Sequence, residues 1–307
     1  MDARSVSAAV PAAPAGRSVG SRERAALVRH KARGVLNGFG GKGNRLTLVL
    51  AVVLLLTVGV GLYAISVGLY MVGYMVFGDY LWLDAVTYAL MGVLGLTLLL
   101  PLAASVFRLA CLMTLRAYPD SVQADRPSVL PVTRETPELV RIFYPFTSFR
   151  AYRRSMAVGL EALGWTALWA GVPAWGFYLL SRLFDSLAER GVPAPLCSLM
   201  TAAVLPLCLG FGLLMLFLSG RRAGFGFFVF VHDQLTLGEV NRYFRGFQRS
   251  FVRPFVLRLS LAGWFALSVL AVLVPFVLHT VPYGLCCGAM YGAGLVRKDD
   301  VKRDINL

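Results

Sequence analysis

Residues 46–77 read LTLVLAVVLLLTVGVGLYAISVGLYMVGYMVF, 32 positions without a charged side chain. A stretch of about 20 apolar residues is enough to cross roughly 30 Å of hydrocarbon as a helix, so this one predicts a membrane span. Working outward, comparable runs follow at 82–115, 155–180, 193–218 and 255–296. The last holds 42 residues. At helical rise that is about 63 Å, which predicts two spans, 255–274 and 281–296, with a turn near 275–282. The expected fold is an all-α, polytopic transmembrane helical bundle of about six spans with cytoplasmic amphipathic helices.

Composition agrees: 57% of residues are hydrophobic, 15% are charged and mean hydropathy is +0.68. Those values exclude an ordinary soluble domain. The formal net charge of +14 lies between the apolar runs rather than along one soluble face, which points to membrane phosphates and away from nucleic acid. Anionic membrane lipids are therefore the expected partners.

Charge counts predict orientation, because short cytoplasmic loops retain Lys and Arg. Residues 1–45 carry nine basic against two acidic residues, 116–154 seven against four, and 219–258 seven against two. Between them, 78–84 holds only Asp79 and Asp84, and 181–194 is neutral. Both termini are thus expected in the cytoplasm, with loops 116–154 and 219–254 on the same side. Residues 1–20, rich in Ala, Ser, Val and Pro, read as a disordered cytoplasmic tail rather than a cleaved signal; a transit peptide is the weaker alternative. The segment 21–45 reads as basic and amphipathic, with Ala25, Val28, Ala32 and Val35 on one face and Arg22, Arg29 and Arg33 elsewhere. The transmembrane domain then occupies 46–296, and 297–307 is a nearly neutral tail.

Few residues suggest chemistry. Cys111, Cys197, Cys208, Cys286 and Cys287 lie in apolar runs without ligand spacing, and His30, His232 and His279 are scattered, so no metal or cofactor is expected. The glycine-rich stretch at 37–44, NGFGGKGN, misses the phosphate-loop spacing and follows no strand; it reads as a hinge. No ionisable residue falls at a bilayer centre. Glu161 lies near the cytoplasmic end of its span, where Arg108 or Arg258 is the expected ion-pair partner. Pro101, Pro173, Pro206 and Pro275 predict bends. Gly284, Gly288 and Gly292 form a ridge that admits close helix packing, either within the chain or in a homodimer.

The most specific polar feature lies in 219–254. Thr236 and Glu239 fit a capping box, which predicts a helix from Leu237. Along it Val240, Tyr243, Phe244, Phe247 and Phe251 share one face, while Arg242, Arg245 and Arg249 flank it and Arg253 lies just beyond. This pattern suits an interfacial helix with aromatic residues in the acyl boundary and guanidiniums at lipid phosphates, or a helix packed against the bundle.

The segment from Leu237 through Tyr291 resembles the C-terminal signature of an uncharacterised bacterial integral membrane family, domain of unknown function 975. The residues concerned are Glu239 and Gly246, then Leu257, Leu259, Ser260, Gly263 and Trp264 within LRLSLAGW, then Pro282, Tyr283 and Tyr291. Ala32, Arg33, Leu36 and Gly38 are similar to the family's opening pattern, whereas Leu218, Ser219 and Gly220 stand where it usually has Ile-Pro-Gly. The resemblance implies a six-helix protein of the bacterial cytoplasmic membrane without an established activity. The expected function is non-enzymatic, through lipid or protein contacts at the cytoplasmic basic face. The alternative is a transporter or channel for a neutral or amphiphilic solute.

Overall fold

The computed structural model describes residues 21–38, 44–78, 81–118, 135–247, 251–270 and 276–305. It is all-helical, with no strand among the described residues. Three helical runs, Asn44–Val76, Asp84–Ala117 and Ala194–Val231, are long and apolar enough to cross a membrane. The expected tail 1–20, the centre of the glycine-rich hinge, Arg249 and Pro275 lie outside the described residues.

Helix α1 (Ser21–Leu36) ends where Gly38 takes φ 99°, a left-handed conformation favoured by glycine. α2 (Asn44–Phe77) runs to Gly78, whose φ of 77° turns the chain back into α3 (Leu81–Leu94). A π-helical turn, Gly95–Leu99, joins α3 to α4 (Leu100–Ala117). After a 3₁₀ segment, Leu139–Thr147, Ser148 caps α5 (Phe149–Thr166) by accepting the Ala151 N–H at 3.2 Å. A second π-helical turn, Ala167–Gly171, continues into α6 (Val172–Glu189), and Gly191 at φ 93° turns the chain into α7 (Ala194–Ser219). The expected third span, 155–180, is thus the middle of one longer helical run.

The bends expected at Pro101 and Pro173 coincide with the two π-helical turns. Proline has no N–H to return to the carbonyl four residues earlier, and the chain accommodates this by widening one turn. Leu100 N–H reaches back to Gly95 O, and Val172 N–H to Ala167 O. Pro206, by contrast, sits inside α7.

Past α7, Gly224 at φ 92° redirects the chain into α8 (Phe225–Val231), followed by α9 (Leu237–Phe247), α10 (Val252–Leu270), a π-helical turn at Phe276–Thr280 and α11 (Val281–Ile305). α8 corrects the loop expected over 219–254: Phe225 and Phe227–Val231 are all buried. Seven residues are too short to cross a bilayer, but this run is apolar on every side and packs at the centre of the protein.

One core gathers all three arginine-rich segments. It joins Ala32, Val35 and Leu36 of α1, Leu48 and Ala51 at the foot of α2, much of α4, Ile142, α8, Val240 and Phe244 of α9, and Tyr283 to Ala293 of α11. Away from this base, α2 exposes Val60, Tyr63 and Met75, α6 exposes Trp175 and Leu179, and α7 exposes Leu199, Leu207 and Leu214. An apolar surface of that extent is at home in hydrocarbon rather than water.

The turn expected near 275–282 is not found in its described part, which is helical from Phe276. Arg45 Nε donates to Leu278 O at 3.5 Å, and Tyr283 Oη to Arg29 O at 3.4 Å. The start of α11 therefore lies beside α1 and the foot of α2. Gly288 and Gly292 face Phe107 and Phe227 of the same chain, where a Cβ on Gly292 would come within 2.4 Å of Phe227 Cβ. Gly288 and Gly292 thus serve internal packing, with Gly284 half-buried on the same helix.

Candidate functional site

The base is braced by arginines. Arg154, on α5, is buried with 1% of its surface exposed. Its Nη1 donates to Val229 O at 2.7 Å and His232 O at 3.1 Å, and its Nη2 donates to Leu235 O. It thereby satisfies carbonyls left over at the end of α8, where a cation also suits the helix dipole. Arg150, one turn earlier, donates to Gln234 O at 2.5 Å and Leu235 O at 3.2 Å. Arg258 does the same for α7, donating to Leu216 O at 3.2 Å and to the Ser219 hydroxyl.

Glu161 does not pair with Arg108 or Arg258, as the sequence suggested. Arg222 holds it with a two-point fork, Nε to Oε1 at 2.8 Å and Nη2 to Oε2 at 3.1 Å. The remaining Nη1 of Arg222 donates to Asn241 Oδ1 at 2.6 Å, and its guanidinium lies 4.1 Å over the Phe225 ring. This single side chain ties α5, α8 and α9 together. Sequence reasoning missed it because Arg222 is 61 residues from Glu161, and its neighbours marked it as loop charge.

The capping box is present. Thr236 N–H and its hydroxyl both donate to Glu239 Oε2 at 2.7 Å, while Glu239 N–H donates to Thr236 Oγ1 at 3.3 Å. The backbone N–H of Thr236, then its hydroxyl, hold the Glu239 carboxyl below the usual range. α9 begins at Leu237. Its apolar face, however, meets protein: Phe244 packs edge-on against Phe225 at 5.6 Å and Phe228 at 5.3 Å, and Val240 is buried. The expectation that this face enters the acyl boundary is thereby corrected for Val240 and Phe244. Arg242 and Arg245 remain exposed on the other side. Arg253, half-buried at the start of α10, lies near enough to the Arg24 guanidinium of α1 to add, after burial, to the lowering of its pKa.

In the family-like segment, Ser260 donates to Leu257 O at 2.7 Å, Pro282 and Tyr283 are buried, and Gly263 and Trp264 lie within α10. Gly220 permits close packing of 251–254, since a Cβ there would meet Phe251 O and Pro254 Cγ at 3.0 Å each. Among the described residues no group of three His, Cys, Asp or Glu side chains is arranged to hold a metal. No family model matches the chain, and no curated protein or solved structure does either.

Proposed function

We propose that this is an integral membrane protein that works without catalysis of its own, through contacts between a rigid basic face and anionic lipid headgroups. The observation that carries the reading is the division of α9. Val240 and Phe244 are locked into the core while Arg242 and Arg245 project outward, so the two guanidiniums are presented by a helix that cannot roll. Each basic residue at an anionic surface contributes on the order of 1 kcal/mol. Arg253, on α10, extends the same face, and Arg249 belongs to it by sequence. A membrane-protein partner with an acidic surface would use the same arginines.

In this reading the base lies at the cytoplasmic side of a bacterial inner membrane, with α2, α3–α4, α5–α6 and α7 crossing the bilayer. Of the six crossings expected, those at 255–274 and 281–296 are not part of this reading, since Leu278 and Tyr283 contact the base. The family resemblance carries no activity and adds none here.

The test is binding of the reconstituted protein to vesicles with and without phosphatidylglycerol. Arg242→Gln with Arg245→Gln should weaken the anionic-lipid preference and its salt sensitivity. An unchanged preference rejects the proposal. A second reading, passage of a neutral or amphiphilic solute, is favoured by the π-helical turns preceding Pro101 and Pro173, which suit hinges. Solute flux in proteoliposomes, lost in Pro173→Ala, would establish it.

A further inference from the structure

Arg108 and Arg154 are both buried arginines of the base, and they are treated in opposite ways. Arg154 directs its donors at three carbonyls. Arg108 has 0% of its surface exposed, yet among the described residues none of its three guanidinium nitrogens makes a directed hydrogen bond. Its Nη2 lies 2.9 Å from Glu135 Oε2, and the same oxygen, itself without a hydrogen bond, lies 3.5 Å from Arg141 Nη1. The Tyr144 ring covers the guanidinium at 3.7 Å. One carboxylate is thus shared between two guanidiniums in poor geometry for both.

A buried charged group without directed partners is costly, and in a native core it usually has a use. Here the local charge is also unbalanced. Tyr144 feels the charges of Arg108 and Arg154 and of Asp233 and Glu135, while Arg141 pairs with Glu135 and Arg150 acts on Arg154. Arg150 and Arg154 face backbone carbonyls, and the one Glu135 carboxylate is paired with both Arg108 and Arg141.

We propose that Arg108 anchors an internal binding site for a phosphate group, and that Glu135 occupies this site as an intramolecular stand-in. A tetrahedral phosphate offers several acceptor oxygens and more charge than one carboxylate, matching the unused Nε and Nη donors of a planar guanidinium. The Glu135 side chain is 29% exposed against 1% for Arg108, so it forms the solvent side of the pair. Glu135 lies outside α4, so it can move aside without displacing the helix that carries Arg108. The phosphate can come from a lipid headgroup or from free phosphate, since the guanidinium recognises the same group in both. The site is separate from the α9 face, and variants at Arg242 and Arg245 leave it intact.

The test uses the full-length protein in nanodiscs. One arm titrates inorganic phosphate into protein in neutral phosphatidylcholine, following heat and melting temperature. The other measures by native mass spectrometry the phosphatidylglycerol retained from mixed discs. Removing the competing carboxylate with Glu135→Gln should tighten binding about tenfold in at least one arm, because the competent state no longer has to displace it. Arg108→Lys, which keeps the charge but loses the fork, should reverse that gain in the Glu135→Gln background. A gain with inorganic phosphate assigns the site to free phosphate, and a gain in retained lipid alone assigns it to a headgroup. If Glu135→Gln changes neither arm, or Arg108→Lys leaves the gain intact, the proposal is overturned.

Discussion

The Tyr152 hydroxyl donates at 3.1 Å to the carbonyl of Thr97, four residues before Pro101, which has no N–H to offer it. A bend that proline alone would leave unsatisfied is completed by a neighbouring helix. In a helical run long and apolar enough to cross a membrane this matters, because hydrocarbon would offer an orphaned carbonyl no water.

Tyr152→Phe removes that donor and nothing else of size. It should cost about 1–2 kcal/mol, the usual penalty for stranding a half-buried acceptor. Thermal unfolding in detergent measures it, and a variant as stable as the parent would show that the π-helical turn satisfies Thr97 by itself.

Pro173 likewise has no N–H to offer the carbonyl of Trp169, four residues earlier, and there α7 comes close. A Cβ on Gly212 of α7 would lie 2.7 Å from the Trp169 carbonyl oxygen and 3.3 Å from Pro173 Cγ, whereas one on Gly210 meets nothing within 4 Å. Gly212→Ala should therefore separate α7 from α6 and cost about 1–3 kcal/mol, as overpacking does. Gly210→Ala, on the same helix, should be neutral or slightly stabilising through helix propensity. Equal effects at the two positions would contradict this packing.

Much of the architecture was legible because its signals are local. Hydrophobic length marked α2, α7 and the apolar runs between them, Gly78 and Gly191 lie at the turns, and the spacing of Thr236 and Glu239 located the start of α9. What was not legible depends on distant partners. The all-apolar α8 was hidden by the arginines around it, since Arg222 reads as a loop charge until Glu161 is brought beside it, and Arg258 reads as a partner for Glu161 until Leu216 and Ser219 are. The direction of the α9 aromatic face has the same origin: periodicity gives a face, but not whether lipid or Phe225 covers it. Arg108 could be recognised as unusual only once its burial was known.

The α9 cap carries a pH dependence of definite sign. Because the Thr236 N–H and hydroxyl hold the Glu239 carboxyl down, the folded pKa lies below the unfolded one. The cap's contribution is complete above the unfolded value of about 4.3 and is lost as pH falls through the folded value. A carboxyl chemical-shift titration of Glu239 should show a depressed midpoint that Thr236→Val moves upward. A midpoint at or above that of an ordinary glutamate would mean the box does not form in solution.

The position of α11 makes the sharpest claim about topology. Two spans in 255–296 would put His279 across the membrane from Gly238. Instead, Leu278 O accepts from Arg45, Tyr283 Oη donates to the Arg29 carbonyl, and Cys286, Cys287 and Ala289 are buried in the same core as α8. Arg45 and Arg29 belong to the segment with the strongest basic excess, and carrying them across a bilayer is opposed by both hydration and the bias of positive charge toward the cytoplasm. A reporter inserted after His279 should therefore give the same sidedness as one after Gly238, and the opposite of reporters after Gly78 and Gly191. Should His279 report with Gly78 and Gly191, α11 crosses the membrane, and the contacts of Leu278 and Tyr283 with the base do not exist in the bilayer.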